Sequence, residues 1–157
     1  MSETGPQQSV DQIDGFHAFV GWCGGWPWFH DAEIIRLELN RIGKSRLVIQ
    51  VLGGTRPTFG PRANPKFAVP PQDVTVTFIL EDIGDLELFQ FSCQNVIFDL
   101  LLEPYLDMFR ITLSPCYGLA GTIDVRTIQI EFTPGSAPDK ELGFREDTDP
   151  IPDKGQK

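Results

Sequence analysis

The sequence predicts a mostly β (α+β) fold: about seven antiparallel strands in a curved sandwich or partly closed barrel, with one N-terminal helix. Three observations predict it. Several stretches alternate apolar and polar residues with period two, as Val74, Val76, Phe78 and Leu80 do against Thr75, Thr77 and Glu81. Short turn-forming stretches separate most of them, and short connections join antiparallel neighbours. Only the segment before Gly24 carries apolar residues at helical spacing, namely Ile13, Phe16, Phe19 and Val20.

Residues 1–10 read as a flexible lead-in, 11–133 as a single β-rich domain, and 134–157 as a flexible tail rich in Pro, Gly and charge. The helix spans Asp11 to Trp22, with Asp11 as N-cap and Gly24-Gly25 as its stop. Trp26-Pro27-Trp28 is extended, because the residue before Pro avoids the α region. Ile34 to Leu39 is a half-buried strand, and Arg46 to Leu52 returns after a turn at Ile42–Ser45. Gly53 to Gln72 holds five prolines and three glycines and reads as a long loop, mobile or functional. Val74 to Glu81 is a strand, Asp82 to Asp85 a turn, and Leu86 to Phe91 the next strand. Ser92 to Asn95 breaks the pattern before the strand Val96–Leu102. Pro104 to Asp107 turns the chain into the strand Phe109–Leu113, and Ser114-Pro-Cys-Tyr-Gly118 is a tight connection. The last strand, Gly121 to Phe132, changes phase between Val125 and Ile128, which predicts a β-bulge near Arg126-Thr127.

Composition excludes several function classes. The chain has 157 residues and a net charge of −9, so a basic nucleic-acid-binding face is not expected. No apolar run approaches the ~20 residues of a membrane helix, and the polar N-terminus lacks the features of a secretory signal, which predicts a cytoplasmic protein with no membrane contact. The three cysteines, Cys23, Cys93 and Cys116, are odd in number and lack C-x-x-C spacing. They predict free thiols rather than disulfides or a thiolate metal site, and no cofactor or metal is expected. The charge is uneven: Glu81, Asp82, Asp85, Glu87, Asp99, Glu103 and Asp107 fall in a stretch without Lys or Arg. If the strands carrying them pair, they form an acidic face able to steer a basic partner; otherwise they simply keep a sheet soluble.

Gly24 to Glu33 concentrates Trp26, Trp28, Phe29, His30, Asp31 and Glu33 in ten residues. His titrates near neutrality, and two nearby carboxylates could orient it or share a metal. Against this, adjacent residues point to opposite faces when extended, and only His17 offers a second imidazole for a metal that needs about three ligands. The simpler reading buries Trp28-Phe29 as an anchor and gives His30 and Asp31 hydrogen bonds to the backbone at the strand entry. Gln94-Asn95 reads as a turn cap or a pocket edge, and Tyr117-Gly118 as a turn with its ring packed on the sheet end. Gly53-Gly54 lacks the Lys of a phosphate loop, and no Ser sits in a G-x-S-x-G elbow.

Trp26-Pro27-Trp-Phe29-His30-Asp31-Ala-Glu33 before a Leu-alternating strand, then Gln94-Asn95-Val96 and Tyr117-Gly118, resembles the immunity protein 50 family of bacterial polymorphic toxin systems. The resemblance spans roughly Phe16 to Phe132. It implies a cytoplasmic α+β or mostly β protein that binds and neutralises a cognate toxin, with no catalytic residues. The leading expectation is therefore a non-catalytic interaction protein whose acidic surface meets a basic toxin domain. A small-ligand module with Phe78, Phe89, Phe91, Phe98 and Phe109 around a cavity is the alternative. An enzyme built on His30, Asp31 and Glu33 comes third, and the oligomeric state is left open.

Overall fold

The computed structural model describes residues 8–56 and 67–136; the lead-in before residue 8, the centre of the 53–72 loop and the tail from 137 lie outside the described residues. Six antiparallel strands appear among the described residues: β1 (Glu33–Glu38), β2 (Ser45–Val51), β3 (Val74–Phe89), β4 (Val96–Tyr105), β5 (Met108–Tyr117) and β6 (Ala120–Pro134). They form one sheet, bent into a ring in the order β1-β2-β3-β6-β5-β4. The ring is uneven. It closes between β1 and β4 through the single pair Glu33–Val96. β2 pairs only with the first half of β3, Val74 to Leu80, whereas β5 pairs only with β6 residues Gly121 to Val125. The outer halves of β3 and β6, with β5 and β4, therefore make one layer, and β1, β2 and the inner halves of β3 and β6 make the other, as in a curved sandwich.

The strand count is six rather than seven because Asp82 to Asp85 is not a turn. β3 runs straight through it, with Asp82 left-handed at φ 61 and the register against β6 shifting between Ile83 and Asp85. Asp and Gly serve bulges as readily as turns, so the same composition here bends a strand instead of ending it. The phase change expected at Arg126-Thr127 is present, with both residues exposed, but the register shift lies on β3 between Ile83 and Asp85, opposite Val125 and Asp124, and not in β6 at Arg126-Thr127.

The helix is also shorter than Asp11–Trp22. A 3-10 turn covers Val10–Gln12, and α1 begins at Phe16 and ends at Cys23. Its N-cap is Gly15, not Asp11, with φ 85. Glycine is required there because a Cβ would fall 1.9 Å from the carbonyl oxygen of Ile130. That close approach lets the Ile130 N–H donate to the Asp14 carbonyl at 2.8 Å, which locks the helix entry onto β6.

α1 and the segment after it plug the ring with aromatic rings. Phe19 is fully buried and packs on Phe132 and Trp26 at centroid distances of 5.4 and 5.9 Å, and Phe29 packs on Phe78 at 6.4 Å. Each such ring contributes about 1.5–3 kcal/mol of burial free energy, so the plug is a major part of the core. The five Phe rings expected around a ligand cavity do not meet. Phe78 and Phe109 are buried in the core, whereas Phe89, Phe91 and Phe98 face solvent. No helix among the described residues is long and apolar enough to cross a membrane.

Candidate functional site

The Trp-Pro-Trp segment alternates, as extended backbone must. Trp26 turns inward, stacked on Phe16 at 5.7 Å and packed against Phe29 at 5.4 Å. Trp28 turns outward and stacks on Phe67 at 4.9 Å. Trp26 and Phe29, rather than Trp28 and Phe29, are therefore the anchor. Pro27 bridges to Ala68, and the Ala68 N–H donates to the Trp26 carbonyl at 3.3 Å.

After Phe29 the chain does not stay extended. Ala32 N–H donates to the Phe29 carbonyl at 2.9 Å, and Asp31 is left-handed at φ 65. The turn is held to β4 by the Asp31 N–H donating to Ile97 and the Ile97 N–H donating to Ala32, at 2.9 and 2.8 Å. His30 and Asp31 consequently converge instead of pointing apart. His30 Nδ1 lies 3.1 Å from Asp31 Oδ2, yet the alignment does not make a hydrogen bond, and Nδ1 is sealed from solvent with no hydrogen-bond partner among the described residues. Among the described residues neither side chain hydrogen-bonds to the backbone at the strand entry, contrary to the simpler expectation. The His30 ring sits between Trp28 and Phe98, each 5.1 Å away.

The third member of this corner is Cys116. Pro115 and Cys116 belong to β5 rather than to a tight connection: Pro115 pairs with Ile97, and Tyr117 with Val96. Proline is tolerated because β5 has left β6 by this point, so the missing N–H falls on an unpaired side. Two register shifts in β4, flanking Ile97, let β5 reach the turn. A ring nitrogen of His30, a carboxylate oxygen of Asp31 and the sulfur of Cys116 lie within 4.8 Å of one another. Glu33 stays in the β1 ladder against Gln50 and Val96, and His17 is exposed on α1; neither joins them. Among the cysteines, burial pushes the Cys23 thiol up to about 12, while Cys93 and Cys116 are exposed.

Asn95 is a structural clasp. Its Oδ1 accepts from the N–H groups of Ser92 and Leu119 at 3.0 and 2.9 Å, and its Nδ2 donates to the Ser92 carbonyl at 2.9 Å. Gly118, at φ 86, closes over it; a Cβ there would sit 2.5 Å from Asn95 Oδ1. The Asn-Val step and the Tyr-Gly turn are therefore two halves of one joint. Gln94 is exposed beside it, and Tyr117 is exposed rather than packed on the sheet end.

The seven carboxylates divide. The pairs Asp85–Asp124, Arg110–Asp124 and Glu103–Arg110 place Asp85 and Glu103 in one row across the outer face of β3-β6-β5-β4. Glu87 and Leu101 end the next row through Thr122 and Thr112, and Asp99 pairs with Ser114 beyond them. Four carboxylates thus share one face. Glu81, 3.9 Å from Lys44, and Asp82 sit at the bend of β3. Asp107 is at the β4–β5 turn, where its hydrogen bond from Arg126 at 2.7 Å holds its carboxyl below the usual carboxylate range. The face is also not purely acidic. Arg110 lies at its centre, clamped on buried Asp124 at 2.7 and 2.9 Å and stacked 3.5 Å from the Tyr105 ring centroid. The bond to Asp124 raises the already high pKa of Arg110.

Sequence reasoning named Cys116 only as a free thiol, set Phe89, Phe91 and Phe98 around a cavity and packed Tyr117 on the sheet end, and so missed Cys116 beside His30 and the exposure of the rings. Phe89, Phe91, Phe98 and Tyr117 are 58%, 67%, 50% and 58% exposed. Phe91, Cys116 and Tyr117 line one hollow, and Phe98 meets Cys116 through His30. Phe89, opposite Ala120, shows outward parity with Asp85 and Glu87. The signal available was the polar company of these rings, Phe91-Ser-Cys-Gln and Cys-Tyr-Gly, where a core position would have apolar neighbours. In comparisons with known proteins, no family model, curated protein or solved structure matches the chain.

Proposed function

We propose that this chain is a non-catalytic interaction protein that binds and neutralises a basic partner protein, docked on the outer face of β3-β6-β5-β4. One observation carries the reading. Four exposed aromatic rings adjoin the face that also carries Asp85, Glu87, Asp99 and Glu103. Unburied aromatic rings in such a group are what protein–protein contacts use as anchors, because burying the part of each still exposed contributes roughly 1–2 kcal/mol. The carboxylates around them supply steering and partner choice rather than bulk affinity. The sequence resemblance to bacterial immunity proteins agrees in kind: a cytoplasmic acidic protein whose partner is a cognate toxin domain.

A Phe91→Ser/Tyr117→Ser variant tests this. Both side chains are exposed, so its melting temperature stays close to that of the unaltered protein. As bait in a host lysate, the unaltered protein retains one basic partner in a salt-sensitive manner, and the variant loses it. A partner retained equally by both baits overturns the docking face.

A further inference from the structure

We infer that His30, Asp31 and Cys116 form a binding site for a borderline divalent cation of the zinc class. Three donors of different type, an imidazole nitrogen, a carboxylate oxygen and a thiol sulfur, converge within 4.8 Å. Two come from adjacent residues that a left-handed Asp31 swings to one side; the third arrives from the far end of β5. The site borders the docking face through Phe98, which packs on His30, but its donors are not among the carboxylates of that face.

The second observation is the stranded His30 Nδ1. It is inaccessible to water, faces a carboxylate 3.1 Å away, and makes no hydrogen bond among the described residues. A buried polar atom without a partner calls for a specific explanation, and a bound ion is one of the few. The donor set selects the ion. Mixed nitrogen, sulfur and oxygen donors suit zinc and its neighbours, whereas calcium and magnesium take oxygen shells. On binding, the Cys116 S–H bond breaks, its proton passes to solvent, and the sulfur lone pair is donated to the cation. Thiolate and carboxylate then balance the two positive charges.

The surroundings fit as well. The rings of Trp28 and Phe98 wall the imidazole on two sides, which fixes the ligand and lowers the local dielectric. The other side is open: the Asp31 side chain is 52% exposed and Cys116 is exposed, so water completes a fourth position. A cation here would staple β5 to the turn that closes the ring between β1 and β4, and would stabilise the fold by mass action.

The test is differential alkylation of the full chain, freed of any affinity tag, with iodoacetamide and mass spectrometry. Cys93 is also exposed and lies outside the cluster, so it is the internal reference. Zinc slows alkylation of Cys116 and leaves Cys93 unchanged. Cobalt(II) gives a thiolate charge-transfer band that Cys116→Ser removes. Asp31→Asn retains the left-handed turn, which Asn tolerates, and weakens protection at least by the roughly 10–100-fold that a lost outer-shell partner costs. His30→Gln does the same. Equal alkylation of Cys116 with and without zinc overturns the site, as does protection that survives both Asp31→Asn and His30→Gln.

Discussion

Asn95→Ala removes the clasp between the Ser92–Asn95 break and the β5–β6 turn. The side chain satisfies two backbone donors and one acceptor, and it is 4% exposed. Leu119 is buried, so its N–H cannot recover a partner from water; an orphaned donor of that kind costs about 2 kcal/mol. Ser92 is half-buried and partly rehydrates, adding about 1 kcal/mol. The sum, about 3 kcal/mol, corresponds to a fall of about 10 °C in Tm for a domain of this size. Urea unfolding followed by tryptophan fluorescence reads it as a lower midpoint with an unchanged slope. Asn95→Asp keeps both acceptor contacts but sets a carboxylate against the Ser92 carbonyl, so its loss is comparable or larger. A loss below about 0.5 kcal/mol for Asn95→Ala would refute the clasp and return Asn95 to the role of a pocket edge.

Gly118→Ala costs at least about 2 kcal/mol, from the left-handed backbone and the clash with Asn95 Oδ1, and in urea titrations its effect combines with Asn95→Ala to less than the sum. Cys23 stays unmodified by thiol reagents at pH 8 in the native state, while Cys93 and Cys116 react; mass spectrometry reads the three sites separately. The raised Cys23 thiol also sets a pH trend. The unfolded thiol ionises near 9 and the folded one near 12, so the unfolded state binds fewer protons in that window and stability contributed by Cys23 falls as pH rises through it. A Cys23→Ala variant flattens that slope in unfolding curves taken across the window.

Period-two alternation made the β class legible, because half-buried strands write it directly in Val74–Leu80 and Phe109–Leu113. The joint at Asn95 and Gly118 was legible in kind, since both residues belong to left-handed or capping positions. Asp82–Asp85 was misread because a bulge and a turn draw on the same residues, and only pairing with β6 separates them. Cys116 was hidden for two reasons. Pro115 and Gly118 disguise a strand as a loop, and the approach to His30 depends on register shifts around Ile97 that no local pattern encodes. The acidic stretch was read without its cations for the same reason: Lys44, Arg110 and Arg126 reach it only through strand pairing.

The most direct test of the docking account is the association rate of the captured partner, measured against ionic strength. Asp99→Lys/Glu103→Lys reverses two of the four carboxylates on the face while leaving the core intact. The account predicts a rate for the unaltered protein that falls steeply with added salt, and a variant slower by roughly tenfold at low salt with a flattened dependence. Identical rates and identical salt dependence for both proteins would contradict it.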